Sequence, residues 1–279
     1  MSKLSRLKKI NLSRNYFDIE GFIILGTLLS NGPITIIELY LQDCGANSSC
    51  IENLMVGLKS NKTLVTLDLR DNDIGMEGAI FIADALQSGP KLRQLNLSGC
   101  NIESQGAIAI INSLSNSSIE TLNLSDNYIG DDGATQIGLV LETNKSLKQL
   151  SIQENQITDD GMASISKGLT RNKGLQFLGV QWNFITNNGA LYLNTCLTQN
   201  SSLRALHILG NAIDRDGVKS ILEGSLVLNT KPIDVDVAGM NCCVISQPNT
   251  PRGVDKASRK SRPSSGGVTR PSSALKGRK

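Results

Sequence analysis

Histidine, cysteine and carboxylate side chains build most catalytic and metal sites, and this sequence spaces them poorly for either purpose. His207 is the single histidine, so a histidine-based triad or a two-histidine metal site lacks its parts. The six cysteines are Cys44, Cys50, Cys100, Cys196, Cys242 and Cys243. They include no C-x-x-C spacing, which argues against zinc and against a dithiol redox motif. There is no glycine-rich phosphate loop and no H-E-x-x-H. Carboxylates are plentiful, but they return at a fixed interval, which suits helix N-termini better than acid/base pairs. The expectation is a non-enzymatic protein with no cofactor, no metal and no small-molecule substrate.

That fixed interval is the organising feature of the chain. In Leu64–Leu86 the apolar residues first alternate (Leu64, Leu67, Leu69), then pass Asn72 and Ile74, and then take helical spacing at Gly78, Ile82 and Leu86. A hydrophobic period that changes from 2 to 3.6 within one unit reads as strand, tight turn, helix. Aligned on Asn72, equivalent residues are Asn15, Cys44, Cys100, Asn127, Asn155, Asn183 and Asn211, spaced 27–29 residues apart. Leu, Ile or Val stands three and five residues before each. Gly follows six residues later in seven of the eight copies. A unit of this size cannot bury its own apolar face and must stack on copies of itself. With aromatics at 4%, the stacked layers have to be filled by Leu, Ile and Ala.

The pattern L-x-x-L-x-L-x-x-N/C-x-I followed by a helix resembles the leucine-rich repeat in its long, ribonuclease-inhibitor-like form. The resemblance covers about Leu4 to Met240. It implies an α/β fold, a right-handed βα solenoid or horseshoe with a parallel sheet on the concave face and helices on the convex face. The residues give their own reasons for this fold. An Asn or Cys where each strand ends can donate to carbonyls left open there, so the aligned residues form a structural ladder. Acids such as Asp131, Asp159 and Asp216 suit helix N-termini. Asn61, Asn144, Asn172 and Asn200, near helix ends, are expected in the left-handed region as terminators.

Three regions depart from the pattern. Repeat 2 has Cys50 in place of the glycine and an irregular DCGANSSC turn. After repeat 8, Ile233, Val235 and Val237 alternate and predict a ninth, capping strand, which closes a solenoid domain over residues 1–240. From Asn241 the periodicity stops. Residues 241–279 hold nine Lys/Arg against Asp255, a net +8 that leaves −5 on the rest of a chain whose total is +3. Rich in Pro and Ser and lacking aromatics, this tail is expected to be disordered.

The partner expected from this reading is a protein bound on the concave face. Between the core leucines, the strand positions that face away from the helices include Tyr40, Asp68 and Arg70 toward one end. Phe177, Trp182, His207 and Leu209 lie toward the other, and these seven residues are the candidate contacts. The tail cations Arg252, Lys256, Arg259, Lys260, Arg262 and Arg270 are candidates for an acidic surface: a microtubule, a nucleic acid or an anionic membrane. No signal peptide or membrane span is read, and a cytoplasmic location is expected, with the cytoskeleton or cilium as candidate sites. The resemblance also implies two alternatives. One is an activator of a small GTPase in the manner of Ran GTPase-activating protein, for which Arg14, Arg70 and Asn96 are the available groups. The other is an inhibitor or sensor module of the ribonuclease-inhibitor or NOD-like-receptor type.

Overall fold

The structure is a computed structural model that describes residues 7–31, 35–88, 90–227 and 233–236. All described elements lie in one compact unit, Met1–Cys242. The elements alternate strictly: β1 (Lys9–Asn11), α1 (Ile19–Asn31), β2 (Glu38–Tyr40), α2 (Ser48–Ser60), β3 (Thr66–Asp68), α3 (Gly75–Gln87), β4 (Gln94–Asn96), α4 (Glu103–Ser113) and β5 (Thr121–Asn123). They continue with α5 (Gly130–Leu141), β6 (Gln149–Ser151), α6 (Asp159–Arg171), β7 (Phe177–Gly179), α7 (Asn187–Leu197), β8 (Ala205–His207), α8 (Arg215–Val227) and β9 (Asp234–Asp236).

The nine strands form one parallel sheet in sequence order. Each strand is three residues long with a single inward side chain, and these stack in register: Ile10, Leu39, Leu67, Leu95, Leu122, Leu150, Leu178, Leu206 and Val235. Because side chains alternate across a strand, this register leaves the flanking residues on the face away from the helices. Each helix packs one stripe against the leucine row. In α6 the buried residues are Gly161, Met162, Ile165, Ser166, Gly168 and Leu169, the i, i+4, i+8 face of an amphipathic helix.

The residues that end each strand tie one repeat to the next. Asn127 Nδ2 donates to the carbonyls of Leu97, Leu124 and Ser125 at 2.7–3.0 Å, and its Oδ1 accepts from the N–H groups of Cys100 and Ile102. Asn72, Asn155 and Asn183 repeat this arrangement. Cys44 and Cys100 reproduce only its donor half, each Sγ lying 3.3 Å from the carbonyl of Leu12 or Leu69. A thiol has no oxygen to receive the neighbouring repeat's N–H.

One expectation about the loops is corrected. Asn61 and Asn172 end their helices in extended backbone, with φ −70° and −68°, not in the left-handed region. They belong to a second ladder on the opposite edge of the repeats. Asn172 Nδ2 donates to Leu141 O and Asn144 O, and its Oδ1 accepts from Gly174 N and Leu175 N. Asn61, Asn144 and Asn200 are bonded in the same way. The left-handed residue is instead the one before the first ladder: Arg14, Asp43, Asp71, Asp126, Glu154 and Trp182 have φ between 51° and 62°.

The acids lie in the first turns of their helices, as expected, and Asp131 and Asp159 also reach forward to the following helix. Asp131 accepts from Thr158 N at 2.8 Å, Thr158 Oγ1 at 2.6 Å and Gly161 N at 3.1 Å, and Asp159 does the same for Thr186 and Gly189. A carboxylate at the positive end of the next helix is favoured by both charge and geometry. Replacing Asp131 by Ala is therefore expected to cost about 1–2 kcal/mol in urea denaturation, a cap-sized loss. Asp132→Ala, at an exposed position one residue on, should stay within about 0.5 kcal/mol. Equal effects at the two positions would refute the inter-repeat cap.

Candidate functional site

The face of the sheet away from the helices carries two separate groups of side chains. At the first, Lys9 Nζ pairs with Glu38 Oε2 at 3.0 Å and lies 4.7 Å from the centre of the Tyr40 ring. The Tyr40 hydroxyl donates to the same Glu38 oxygen at 2.9 Å. Hydrogen bonds from Lys9 and Tyr40 hold the Glu38 carboxyl below its usual range. Burial, followed by the Glu38 hydrogen bond, pushes the Tyr40 phenol up. One strand on, the Arg70 guanidinium donates to Gln42 Oε1 at 2.7 Å, and its Nε lies 3.5 Å from Asp68 Oδ2.

Asp68 departs from its expected role as a solvent-facing contact: only 8% of it is exposed. Its Oδ1 folds back to accept Arg70 N at 3.1 Å, between the neighbouring Tyr40 and Asn96. Burial raises the carboxyl's pKa, opposed by the Arg70 N–H and guanidinium. Tyr40 and Arg70 therefore reach the surface already engaged, and Asp68 supports Arg70.

The second group lies on β7 and β8, four repeats away. The Phe177 and His207 rings meet edge to face, centroids 4.8 Å apart. Both are half-buried, as is Leu209. Trp182 is 50% exposed although its backbone is left-handed at φ 56°, a conformation that costs a bulky residue of order 1 kcal/mol or more. Its backbone N–H donates to Leu209 O at 2.9 Å, and its ring lies over Gly210. A Cβ on Gly210 would come within 2.4 Å of two ring carbons, so the glycine makes room for the indole. The sequence pattern thus places an aromatic surface where repeats 7 and 8 meet.

Two carboxylates at this end were not singled out in the sequence. β9 pairs with β8 so that Asp234 stands beside Ala205 and Asp236 beside His207. Their signal was available in Ile233, Val235 and Val237: if these face inward, the aspartates between them share the face of His207. What concealed them was the reading of this strand as a cap alone.

The other candidates for chemistry are enclosed or lie elsewhere. Cys44, Cys50, Cys100 and Cys196 are buried free thiols. Burial pushes the Cys100 and Cys196 thiols up to about 12, the opposite of activation. Among the described residues no cluster of His, Cys, Asp and Glu has the arrangement to hold a metal ion. Among them, too, no helix is long and apolar enough to cross a membrane. Cys242, Cys243 and the tail candidates Arg252, Lys256, Arg259, Lys260, Arg262 and Arg270 lie outside the described residues.

A single parallel sheet with one helix per strand, joined by asparagine ladders, defines a repeat protein of the βα solenoid class. Five segments match the leucine-rich repeat family: residues 60–83, 90–110, 115–138, 143–166 and 199–222. The chain belongs to the leucine-rich repeat proteins, in the ribonuclease-inhibitor-like long-repeat form. It is 31% identical to ribonuclease inhibitor of Sus scrofa over 133 residues, 47% of this chain and 29% of that protein. It is 30% identical to NACHT, LRR and PYD domains-containing protein 12 of Mus musculus over 140 residues, 50% of this chain and 13% of that protein. It thus spans less than a third of the length of these curated relatives. A solved structure titled Leiomodin-1 Actin-Binding Site 2 is similar at TM-score 0.44 and 17% identity, over 54% of this chain and 89% of that one.

Proposed function

We propose that this protein is a non-enzymatic intracellular interaction scaffold whose concave sheet face binds a protein partner through the aromatic end at repeats 7 and 8. The observation that carries the reading is Trp182, half-exposed and held in a costly backbone conformation over Gly210. Beside it lie Leu209 and the Phe177–His207 pair. Retaining a large exposed ring where glycine would be easier is hard to explain by folding, and partly enclosed aromatics of this kind anchor interfaces.

Trp182→Gly tests this cleanly, because glycine relieves the left-handed backbone while removing the ring. Capture of partners from the source cell by the full-length protein should fall about tenfold or more. The melting temperature should be unchanged or raised. Phe177→Ala should weaken capture as well. Unchanged capture together with a marked stability loss would mean that the rings serve packing alone.

The second part of the proposal concerns charge. The basic tail, residues 241–279, tethers the scaffold to an acidic surface such as a microtubule, giving a cytoplasmic, cytoskeletal or ciliary location. The body carries cations on one rim that suit the same role: Lys173 and Arg204 line a shallow cleft with Ser201 and Ser202, and Lys91 and Lys148 line another. The inhibitor or sensor alternative draws on the similarity to ribonuclease inhibitor. The GTPase-activator alternative draws less support, since Arg70 is already held by Gln42 and Asp68.

A further inference from the structure

We propose that the rim of the sheet where its strands begin binds an extended acidic segment of a partner protein, whose carboxylates seat on a row of lysine and arginine side chains. This deepens the reading of the protein as a binding scaffold and rests on it, at a surface separate from the aromatic end. Because the nine strands are parallel, every connection entering a strand lies on one rim and every connection leaving one lies on the other. The six connections that enter β3 to β8 hold seven Lys or Arg among the described residues and two acids, Glu120 and Glu142. Both acids are already paired, Glu120 with Arg93 at 2.9 Å and Glu142 with Arg171 at 2.7 Å. The six connections that leave β3 to β8 have the opposite balance: Asp71, Asp73, Asp126, Glu154 and Asp214 against Arg70. Charge is thus sorted across the sheet, basic on one rim and acidic on the other.

Helix ends alone do not explain the basic rim. Lys59 and Arg171 lie in the last turns of α2 and α6, where the helix dipole favours a cation. Lys91, Lys148 and Arg204 stand four to seven residues past their helices, and the dipole's influence falls off within the last turn. Lys148 Nζ donates to Lys145 O at 2.8 Å, and the Arg204 guanidinium donates to Ser201 O and Leu203 O at 3.0 and 3.1 Å. Carbonyls are neutral, so these bonds orient the cations without cancelling their charge. Asp234 stands on the strand beyond Arg204, its N–H donating to Arg204 O at 2.8 Å, so the row is tested at its lysines. Lys91, Arg93 and Lys148 line a shallow cleft with Ser117 and Ser146, in which Glu120 is the one acid. Lys173 and Arg204 line another with Ser201, Ser202 and Gln176. Cations beside hydroxyls supply the donors that a carboxylate accepts. Adjacent strands are about 4.8 Å apart, so β3 to β8 span about 24 Å, the length of about seven residues of extended chain. These six connections hold no aromatic residue. The stacking platform that single-stranded nucleic acid uses is missing, which favours an acidic peptide.

Fluorescein-labelled octaglutamate is titrated at low salt against the full-length protein and followed by anisotropy, with octaglutamine as the comparison. The nine Lys and Arg of residues 241–279 are replaced by Gln throughout, so that the tail does not compete. Octaglutamate should bind saturably and at least about fivefold tighter than octaglutamine. Lys91→Gln with Lys148→Gln and Lys173→Gln should weaken it about tenfold, three exposed ion pairs at roughly twofold to threefold each. Lys167→Gln with Arg215→Gln and Lys219→Gln removes the same charge from α6 and α8 and should weaken it less than about twofold. If the rim triple variant fails to fold, Lys91→Gln with Lys173→Gln, both at exposed positions, decides the matter with a loss of about fivefold. Equal affinities of the rim and helix variants, no saturable binding, or equal binding of octaglutamine would each overturn the inference. An oligothymidylate of equal charge held more tightly by the same lysines would overturn it in favour of nucleic acid. Absent octaglutamate binding, with partner capture still dependent on Trp182, would remove this inference alone. Capture indifferent to Trp182→Gly, with octaglutamate still held by the rim, would remove the aromatic-end reading alone.

Discussion

Asn127→Ala is expected to lower the unfolding free energy by about 3–5 kcal/mol, among the largest effects a single substitution has. The side chain is 0% exposed and makes five hydrogen bonds, two accepted from Cys100 N and Ile102 N and three donated to Leu97 O, Leu124 O and Ser125 O. Alanine leaves those backbone groups buried and unpaired, and each such group costs about 1–3 kcal/mol. The sum is limited by relaxation of the turn and by entry of water. Asn123→Ala is the control. It removes an asparagine on the open sheet face that bonds only Ser125, and it should cost less than about 1 kcal/mol. Urea denaturation of the full-length protein separates the two. If the ladder residue cost no more than its surface neighbour, the ladder would not be what couples the repeats.

Gly168→Ala is expected to cost about 3 kcal/mol despite alanine's better helix propensity, which alone would favour the variant by about 1 kcal/mol. An added Cβ would lie 2.1 Å from the Gly138 carbonyl oxygen and 2.8 Å from its carbon. That obstacle is backbone on a neighbouring helix, so relief requires α5 and α6 to separate, and overpacking of this kind is costly. The approach is reciprocal, since a Cβ on Gly138 would lie 2.2 Å from Ser164 O. Gly75→Ala makes the contrast. Gly75 has φ +69° and nothing within 4 Å of an added Cβ, so its cost is conformational, about 1–2 kcal/mol. Thermal melts in which Gly75→Ala lost more stability than Gly168→Ala would contradict the close approach of the helices.

Much of the fold was legible because it is written eight times. Leu67, Leu95, Leu122 and their equivalents alternate in every copy, and a period-2 stretch followed by a period-3.6 stretch admits few architectures once copies must stack. The second asparagine ladder was harder to read. Asn61 and Asn172 sit at helix ends beside Lys62 and Lys173, where local rules favour a left-handed terminator. The tertiary arrangement overrides those rules by bringing the preceding repeat's carbonyls, Leu29 O for Asn61 and Leu141 O for Asn172, within 2.7 Å. Asp131 lies in the first turn of its own helix, as local rules favour, yet only the stacked repeat presents Thr158 and Gly161 to it. Neighbours 27–32 residues away cannot be seen in a window of one helix turn.

The open face divides along the same line. Sequence alone determined that Phe177, His207 and Leu209 occupy outward positions of adjacent repeats, because alternation fixes the face once the leucines are inward; Trp182, in phase with Leu178 and Val180, lies in the turn beyond the strand, where alternation no longer decides. Only the tertiary structure decided how they are held: the left-handed backbone of Trp182, the indole lying over Gly210, and the Phe177–His207 contact. It also withdrew Asp68 from the surface and brought Asp234 and Asp236 to the aromatic end. Which side chain covers which, and which charges meet, depends on the lateral packing of strands about 4.8 Å apart. The order of residues along one strand does not contain that lateral contact.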